Sequence, residues 1–185
     1  VTLKDNEGVV KYQEHQQDTY NNNWVTIPST KEKTLTLTKT KVGTYYVYAY
    51  DEYGHITCDR IGLDAPVYFG DNNDILRVGA GQYIGSFLPG YGRTIMLCAH
   101  NTTFFKPLQV IEAGDIITFK TSYGVYQYQV SRTDVKDHND STAYDLLQEK
   151  EELVMYTCYP FTPLTSYSQR LFVYANKTSG PDLIY

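Results

Sequence analysis

Cysteine is scarce in this sequence. Its 185 residues include only Cys58, Cys98 and Cys158, which lie far apart and form no C-x-x-C pair. An odd number at this spacing argues against a disulfide framework and against a zinc site, and at least one thiol must stay unpaired within the chain. Such a thiol is either buried and inert or reactive. We expect no metal and no cofactor.

Basic charge and long apolar runs are lacking as well. The 16 Lys and Arg residues are scattered and are outnumbered by 21 Asp and Glu residues, for a formal net charge of -5. This distribution excludes the electrostatic footprint of a nucleic-acid-binding protein. No apolar run approaches the ~18 residues that cross a bilayer. Because the sequence begins at Val1 rather than at methionine, we expect a soluble ectodomain whose signal or membrane anchor lies outside it.

Tyrosine, by contrast, is abundant, with 19 residues. It suits half-buried pleated surfaces and carries a polar tip, so the composition favours β-structure and an exposed working surface. A hydrophobic content of 42% with 20% charge is typical of a soluble globular protein. The length suffices for one good-sized core, or for a compact domain with a small companion.

Residues 1–55 differ from the rest of the chain and predict a β-rich N-terminal extension. The alternating residues 34–38 and the run 44–50 predict two strands, with a turn at 51–54. Residues 42–57 also resemble the last strands of a bacterial immunoglobulin-like surface repeat. Lead-in strands that pack on the following domain are the alternative, and both stay open. We place the second domain at residues 56–185.

From residue 56 onward the pattern predicts mainly strands. Pro66 is expected to break a strand over residues 61–68, since proline cannot donate into a ladder. In the segment 131–152, Thr142 followed by Asp145 gives a capping-box signal, and the apolar residues beside it predict a short amphipathic helix. The second domain is therefore predicted to be all-β, with one short helix before the strand that ends in Cys158.

Three polar side chains lie at the ends of apolar, β-prone runs. Cys158 and His100 each follow such a run, and Arg170 begins one. A cysteine thiolate is a strong nucleophile towards an amide carbonyl. Histidine, with an unperturbed pKa near ~6.5, can carry the proton. Arginine can hold a substrate backbone or stabilise an oxyanion. We expect Cys58 and Cys98, in contrast, to be buried and inert.

Several motifs follow one another in a fixed order: Leu88-Pro89-Gly90, His100, residues 104–108, Gly114-Asp115, a Tyr-rich hairpin, Thr157-Cys158 and Arg170-Leu171. This order, from about residue 56 to about residue 175, resembles the sortases, the cysteine transpeptidases of Gram-positive cell surfaces. The resemblance implies an eight-stranded sortase-type β-barrel with Cys158 as nucleophile, His100 as acid and base, and Arg170 as the essential arginine.

The resemblance also implies a substrate. Sortases cut a C-terminal Leu-Pro-x-Thr-Gly (LPxTG) sorting signal between Thr and Gly, and they pass the acyl group to an amine of peptidoglycan or of its lipid II precursor. The partners would be surface proteins with such signals, and the location would be the outer face of a Gram-positive membrane. The implied groove residues are Ala80, Leu88, Pro89, Tyr144, Thr157 and Tyr159.

The chain departs from the family pattern at two places. Ala99 stands where the family commonly has glycine, and residues 154–158 match the family's Thr-Leu-x-Thr-Cys only at the last two positions. Residues 156–161 and the short insert look most like class D sortases, since class B inserts a longer helix. Two other functions stay open: an inactive sortase-like or immunoglobulin-like binding module, and a cysteine hydrolase that uses water.

Overall fold

A computed structural model divides the chain into two units, Val1–Glu52 and Tyr53–Tyr185. The structure describes residues 2–4, 11–16, 19–26, 34–36, 52–162 and 166–183, with side chains in the last two of these ranges. The candidate catalytic residues all lie in those two ranges.

Four strands are described in the first unit: β1 (Thr2–Lys4), β2 (Lys11–Gln16), β3 (Thr19–Thr26) and β4 (Thr34–Thr36). β1 pairs antiparallel with β4, and β2 pairs antiparallel with β3. β4 occupies the start of the strand predicted at 34–38. The strand predicted at 44–50 lies outside the described residues, and the choice between an immunoglobulin-like remnant and lead-in strands stays a prediction.

Eight further strands form a closed barrel. They are β5 (Glu52–Cys58), β6 (Leu63–Phe69), β7 (Ala80–Gln82), β8 (Ile95–Cys98), β9 (Ile116–Thr121), β10 (Gly124–Asp137), β11 (Glu152–Tyr159) and β12 (Gln169–Ser179). Their order around the barrel is β10-β12-β11-β8-β7-β6-β5-β9. β6 pairs parallel with β7, and β8 pairs parallel with β11. The predicted all-β, eight-stranded barrel is confirmed.

Side chains on β8, β11 and β12 alternate between two apolar clusters. Leu153 and Met155 point into the barrel and belong to the main core. Val154 and Phe172 point outward and belong to a second cluster, which the residues around Ala143 cover. A strand buried on both faces reads as a continuous apolar run rather than as an alternating one. This explains the uninterrupted run that leads to Cys158.

Helices are short throughout the described ranges. The one α-helix there is α1 (Asn73–Leu76), between β6 and β7, and two 3₁₀ turns cover Asp59–Ile61 and Lys106–Val110. No helix in these ranges has the length and apolar character that crossing a bilayer requires.

A short helix is therefore present, but its predicted position before β11 was wrong. That segment forms turns. The Asp140 carboxylate accepts the Thr142 backbone N–H at 2.8 Å, and the Asp145 carboxylate accepts the Leu147 N–H at 2.9 Å. Asp and Thr side chains that bond to nearby backbone stabilise turns as readily as helix caps. The Thr142 and Asp145 pattern that predicted a helix cap therefore belongs to turns.

Two smaller expectations were also wrong. Pro66 lies inside β6 instead of breaking it, and the register of β6 with β7 begins only at Val67. Of the turn predicted at 51–54, residues 52–54 belong to β5, in which Gly54 pairs with Thr121. A Cβ at Gly54 would lie 2.5 Å from the ring of Phe119. Glycine at this position therefore lets the backbone of β5 lie close to the Phe119 ring.

Candidate active site

The ends of β8, β11 and β12 meet at one edge of the barrel. Cys158 lies directly opposite Arg170 in the antiparallel register of β11 and β12. β11 also runs parallel to β8, and the last register pair of these two strands is Tyr156 with Cys98. Cys158 is two residues beyond Tyr156, and His100 is two residues beyond Cys98, so continuing the register would set them opposite each other. The register thus brings the three candidate residues to neighbouring strand ends.

Cys158 and Arg170 lie on the same face of the sheet, and His100, two residues after the end of β8, has the parity of that face. Successive side chains of a strand alternate, so Cys158 shares the outward face of Tyr156, and Arg170 shares that of Phe172. His100 has the parity of the outward Met96 on β8. Each of the three candidates is half-buried. Cys158 is therefore not sealed in the core, as a structural cysteine would be.

Two hydrogen bonds join the chain around His100 to the chain around Cys158. The Thr157 hydroxyl donates to the Ala99 carbonyl at 2.7 Å. The Asn101 amide donates to the Pro160 carbonyl at 3.0 Å. One bond lies just before the two candidate residues and the other just after them. Together they fix the spacing of the two strand ends.

Arg170 is held at the start of β12. Its Nη1 donates to the carbonyl oxygens of Tyr167 at 3.0 Å and Gln169 at 2.9 Å. The other guanidinium nitrogens make no hydrogen bond within the described ranges. A guanidinium presents five N–H donors, so donors remain that can reach a substrate.

Cys98 and Tyr156 are paired neighbours on β8 and β11, two residues before His100 and Cys158, and we call this pair the groove floor. Each side chain affects the pKa of the other. Burial raises the pKa of the Cys98 thiol to about 12, against the smaller effect of the Tyr156 hydroxyl, which lowers it. Burial also raises the pKa of the Tyr156 hydroxyl well above its usual range. Both groups stay protonated at neutral pH, so Cys98 is an unreactive neighbour of Cys158.

Residues 143–151 form a wall beside this floor. Tyr144 and Leu146 from the wall pack on the outer apolar cluster. Three side chains donate to main-chain carbonyls of the wall: Tyr174 to Ala143 at 2.5 Å, Thr94 to Asp145 at 2.5 Å and Arg93 to Leu147 at 2.6 Å. These bonds tie the wall to β12 and to the entry of β8.

The loop 88–92 is anchored by the last residue of the wall. The buried Glu151 carboxylate accepts the backbone N–H groups of Gly90 and Gly92, both at 3.0 Å. It also accepts the Tyr128 hydroxyl at 2.6 Å, and Lys177 lies 3.6 Å away. The anchor thereby holds the loop that carries Leu88 and Pro89.

The predicted groove residues differ in accessibility. Leu88, Tyr144 and Tyr159 are half-buried, whereas Pro89 and Thr157 are buried. Ala80 is 0% exposed and belongs to the main core. The prediction that Ala80 lines the groove is corrected, because its position on β7 turns the side chain into the barrel and leaves no surface for a substrate.

Sequence reasoning assigned no role to Tyr156, Asn101 or Asp71, which the structure places near the candidate residues or near the groove floor. The period of two along β11 could have identified Tyr156, which is two residues before Cys158 and on its face. Asn101 directly follows His100, but its partner Pro160 is 59 residues away in sequence. Asp71 comes near the floor only through the packing of the turn that follows β6. No local pattern signals either of these contacts.

The model of the family described as the sortase domain matches residues 56–178. The chain belongs to the sortase family. A curated relative, sortase D of Bacillus subtilis (strain 168), is 31% identical over 126 residues, which are 68% of this chain and 64% of the relative. The aligned part thus spans slightly less than two thirds of this sortase. Both the predicted family and its likeness to class D are confirmed.

Solved sortase structures share the barrel. A sortase D5 transpeptidase of Clostridium perfringens superposes with a TM-score of 0.62 at 19% identity, covering 70% of this chain and 80% of that one. Sortase C of Streptococcus pneumoniae superposes with a TM-score of 0.62 at 27% identity, covering 69% of this chain and 66% of that one. The first of these likenesses is evidence of the fold alone.

Proposed function

We propose that this chain is a sortase that acts as a cysteine transpeptidase, with Cys158 as nucleophile, His100 as general acid and base, and Arg170 as the oxyanion and substrate ligand. The observation that carries the proposal is the register that brings these three residues to adjoining strand ends on one outward face. Membership of the sortase family supports the same assignment.

The proposed reaction has two halves. The Cys158 thiolate attacks the carbonyl carbon of the scissile peptide bond, and free donors of Arg170 stabilise the tetrahedral oxyanion. The intermediate collapses to a thioester as His100 protonates the leaving amine. An incoming amine then attacks the thioester while His100 takes its proton. A new amide forms, and the Cys158 thiolate is released.

The proposed donor is an LPxTG-like sorting signal cut between Thr and Gly, and the proposed acceptor is an amine of peptidoglycan or lipid II. Surface proteins that carry such signals would be the partners, at the outer face of a Gram-positive membrane. The proposed groove residues are Leu88, Pro89, Tyr144, Thr157 and Tyr159. Among them, Thr157 acts through its bond to Ala99, since its side chain is buried.

A fluorogenic LPxTG peptide tests the proposal. We expect cleavage by the native chain and none by Cys158→Ala. Cys58→Ala is the matched control, because it removes a buried thiol of the main core and should keep most of the activity. A thiol-reactive probe at neutral pH should label Cys158 ahead of Cys58 and Cys98, whose pKa values are both raised by burial.

Added amines separate transfer from hydrolysis. A transpeptidase should form an amide product whose yield rises with amine concentration, whereas a cysteine hydrolase would give the same acid product at every concentration. Absence of turnover across a panel of sorting peptides, together with an unlabelled Cys158, would favour a binding module and would end the proposal.

A further inference from the structure

The groove floor extends beyond Cys98 and Tyr156 towards β7. Cys98 pairs with Tyr156 on one side and with Gly81 on the other. Gly81 follows the inward Ala80, so it belongs to the outward face, like the candidate catalytic residues. Gly81, Cys98 and Tyr156 therefore form a row across three neighbouring strands. Along β8 and β11, this row comes two residues before His100 and Cys158.

Asp71 packs at the end of this row. A Cβ built on Gly81 would lie 3.0 Å from the Asp71 Cα and 2.4 Å from the Gly70 carbonyl oxygen. The turn after β6 therefore lies directly against the glycine. The Asp71 carboxylate also raises the pKa of both Cys98 and Tyr156, after the larger effect of burial. Its negative charge thus acts on the groove floor.

The Asp71 carboxylate has no cationic neighbour in the described part of the chain. It is half-buried, and within those ranges it makes neither an ion pair nor a hydrogen bond. Asp74 on α1 shows the contrast, because its carboxylate lies 3.5 Å from Arg77. A half-buried carboxylate without a partner can attract a cation.

We propose that Asp71, together with the Tyr156 hydroxyl, forms a subsite for an ammonium group of the substrate. The inference rests on the proposed function and specifies its selectivity. The ammonium group can come from the side chain at the x position of the sorting peptide or from the acceptor amine. Tyr156 and Tyr144 both pack on the outer apolar cluster, and aromatic rings attract cations.

The first experiment varies the donor peptide. Leu-Pro-x-Thr-Gly peptides with Lys, norleucine or Glu at x are compared, because norleucine keeps the length of lysine without its charge. If the donor supplies the ammonium group, we expect Lys to exceed norleucine roughly tenfold in kcat/KM for the native chain, with Glu last. Asp71→Asn should remove the preference, while Asp74→Asn should keep it. Asp71→Lys should invert it towards Glu, which no loss of folding would produce.

The second experiment varies the acceptor. Propylamine and 1,3-diaminopropane have the same length, but the diamine keeps one ammonium group when its other, neutral amine attacks the thioester. If the acceptor supplies the ammonium group, the native chain should prefer the diamine roughly tenfold, and Asp71→Asn should use both amines equally. If the preference for the charged ligand depends on Asp71 in only one of the two experiments, that experiment identifies the donor or the acceptor as the source of the ammonium group.

Binding to the Cys158→Ala chain separates this inference from the proposed function, since it requires no turnover. Tighter binding of the Lys peptide or of the diamine than of its uncharged partner, abolished by adding Asp71→Asn, supports the subsite even without catalysis. Normal cleavage with no dependence on Asp71 in either arm overturns the subsite alone. Equal binding of charged and uncharged ligands to the Cys158→Ala chain overturns it as well.

Discussion

Asn101 is a buried polar residue whose side chain does not belong to the proposed catalytic groups. Its amide bonds to the Pro160 carbonyl, two residues beyond Cys158, while Asn101 itself follows His100. A bond in this position controls the distance between nucleophile and proton carrier. General acid–base catalysis depends on that distance, since proton transfer requires hydrogen-bond reach.

Asn101→Ala is therefore expected to lower kcat of peptide cleavage by about tenfold to a hundredfold, the cost of a small misplacement of catalytic groups. Loss of the bond to the Pro160 carbonyl should lower the free energy of unfolding by about 1–3 kcal/mol, and a melting curve checks that the fold persists. Asn139→Ala, in an exposed turn, is the control. Unchanged kcat for Asn101→Ala would contradict the positioning role.

Strand β10 carries two buried tyrosines whose hydroxyls differ in one respect. Tyr126 and Tyr128 are both 0% exposed and point to the same side of the strand. The Tyr128 hydroxyl donates to Glu151, which anchors the loop 88–92. The Tyr126 hydroxyl has no hydrogen-bond partner among the described residues. The pair isolates the contribution of one hydrogen bond to a buried carboxylate.

Tyr128→Phe should lower the free energy of unfolding by about 2 kcal/mol, as is usual for a hydrogen bond to a charged group. Tyr126→Phe should leave stability unchanged or raise it slightly, because it removes a buried polar atom without a partner. Urea denaturation of both variants measures the difference. Equal destabilisation by the two substitutions would show that the bond to Glu151 contributes nothing.

The sequence predicted those elements whose signal is local. Apolar runs that end in Cys158 and His100 predicted β11 and β8, because strands buried on both faces read as continuous apolar stretches. The predicted helix before β11 failed because its turn is stabilised by side chains of the same types that cap helices. Propensity alone does not distinguish these two uses of Asp and Thr.

The groove was harder to predict than the three proposed catalytic residues. Ala80 lies inside the barrel because its face depends on the register of β7 with β6 and β8, and a strand of three residues carries no readable alternation. Asp71 approaches the floor only because Gly81 permits close packing of the turn after β6. Such contacts between distant segments follow from the tertiary fold.

The pairing of β5 with β9 is one of the contacts that close the barrel. β5 pairs with β9 through four residue pairs, from Gly54 with Thr121 to Thr57 with Thr118. Beyond the last pair, Arg60 donates to both carboxylate oxygens of Asp115 and, at 2.6 Å, to the Val110 carbonyl. The Asp115 side chain is only 5% exposed. The ion pair therefore links the chain after β5 to the chain before β9.

This link makes the stability of the barrel depend on pH. The Arg60 hydrogen bond holds the pKa of Asp115 below its usual range, against the opposing effect of burial. A carboxyl whose pKa is lower in the folded state than in the unfolded state stabilises the fold above the unfolded pKa, which is about 4. That stabilisation is lost as the pH falls through the folded pKa, because the carboxyl is then protonated in the folded state as well as in the unfolded state.

Asp115→Asn is expected to lower the melting temperature at pH 7, and the gap to the native chain should narrow as the pH falls below about 4. The gap narrows because the native chain loses its ionised carboxylate there, whereas the amide does not titrate. Asp59→Asn, which removes an exposed carboxylate next to Arg60, is the matched control and should give a small gap throughout. Melting curves between pH 7 and pH 2.5 measure both gaps. A gap for Asp115→Asn that stays constant down to pH 2.5 would show that the Asp115 charge does not stabilise the closed barrel.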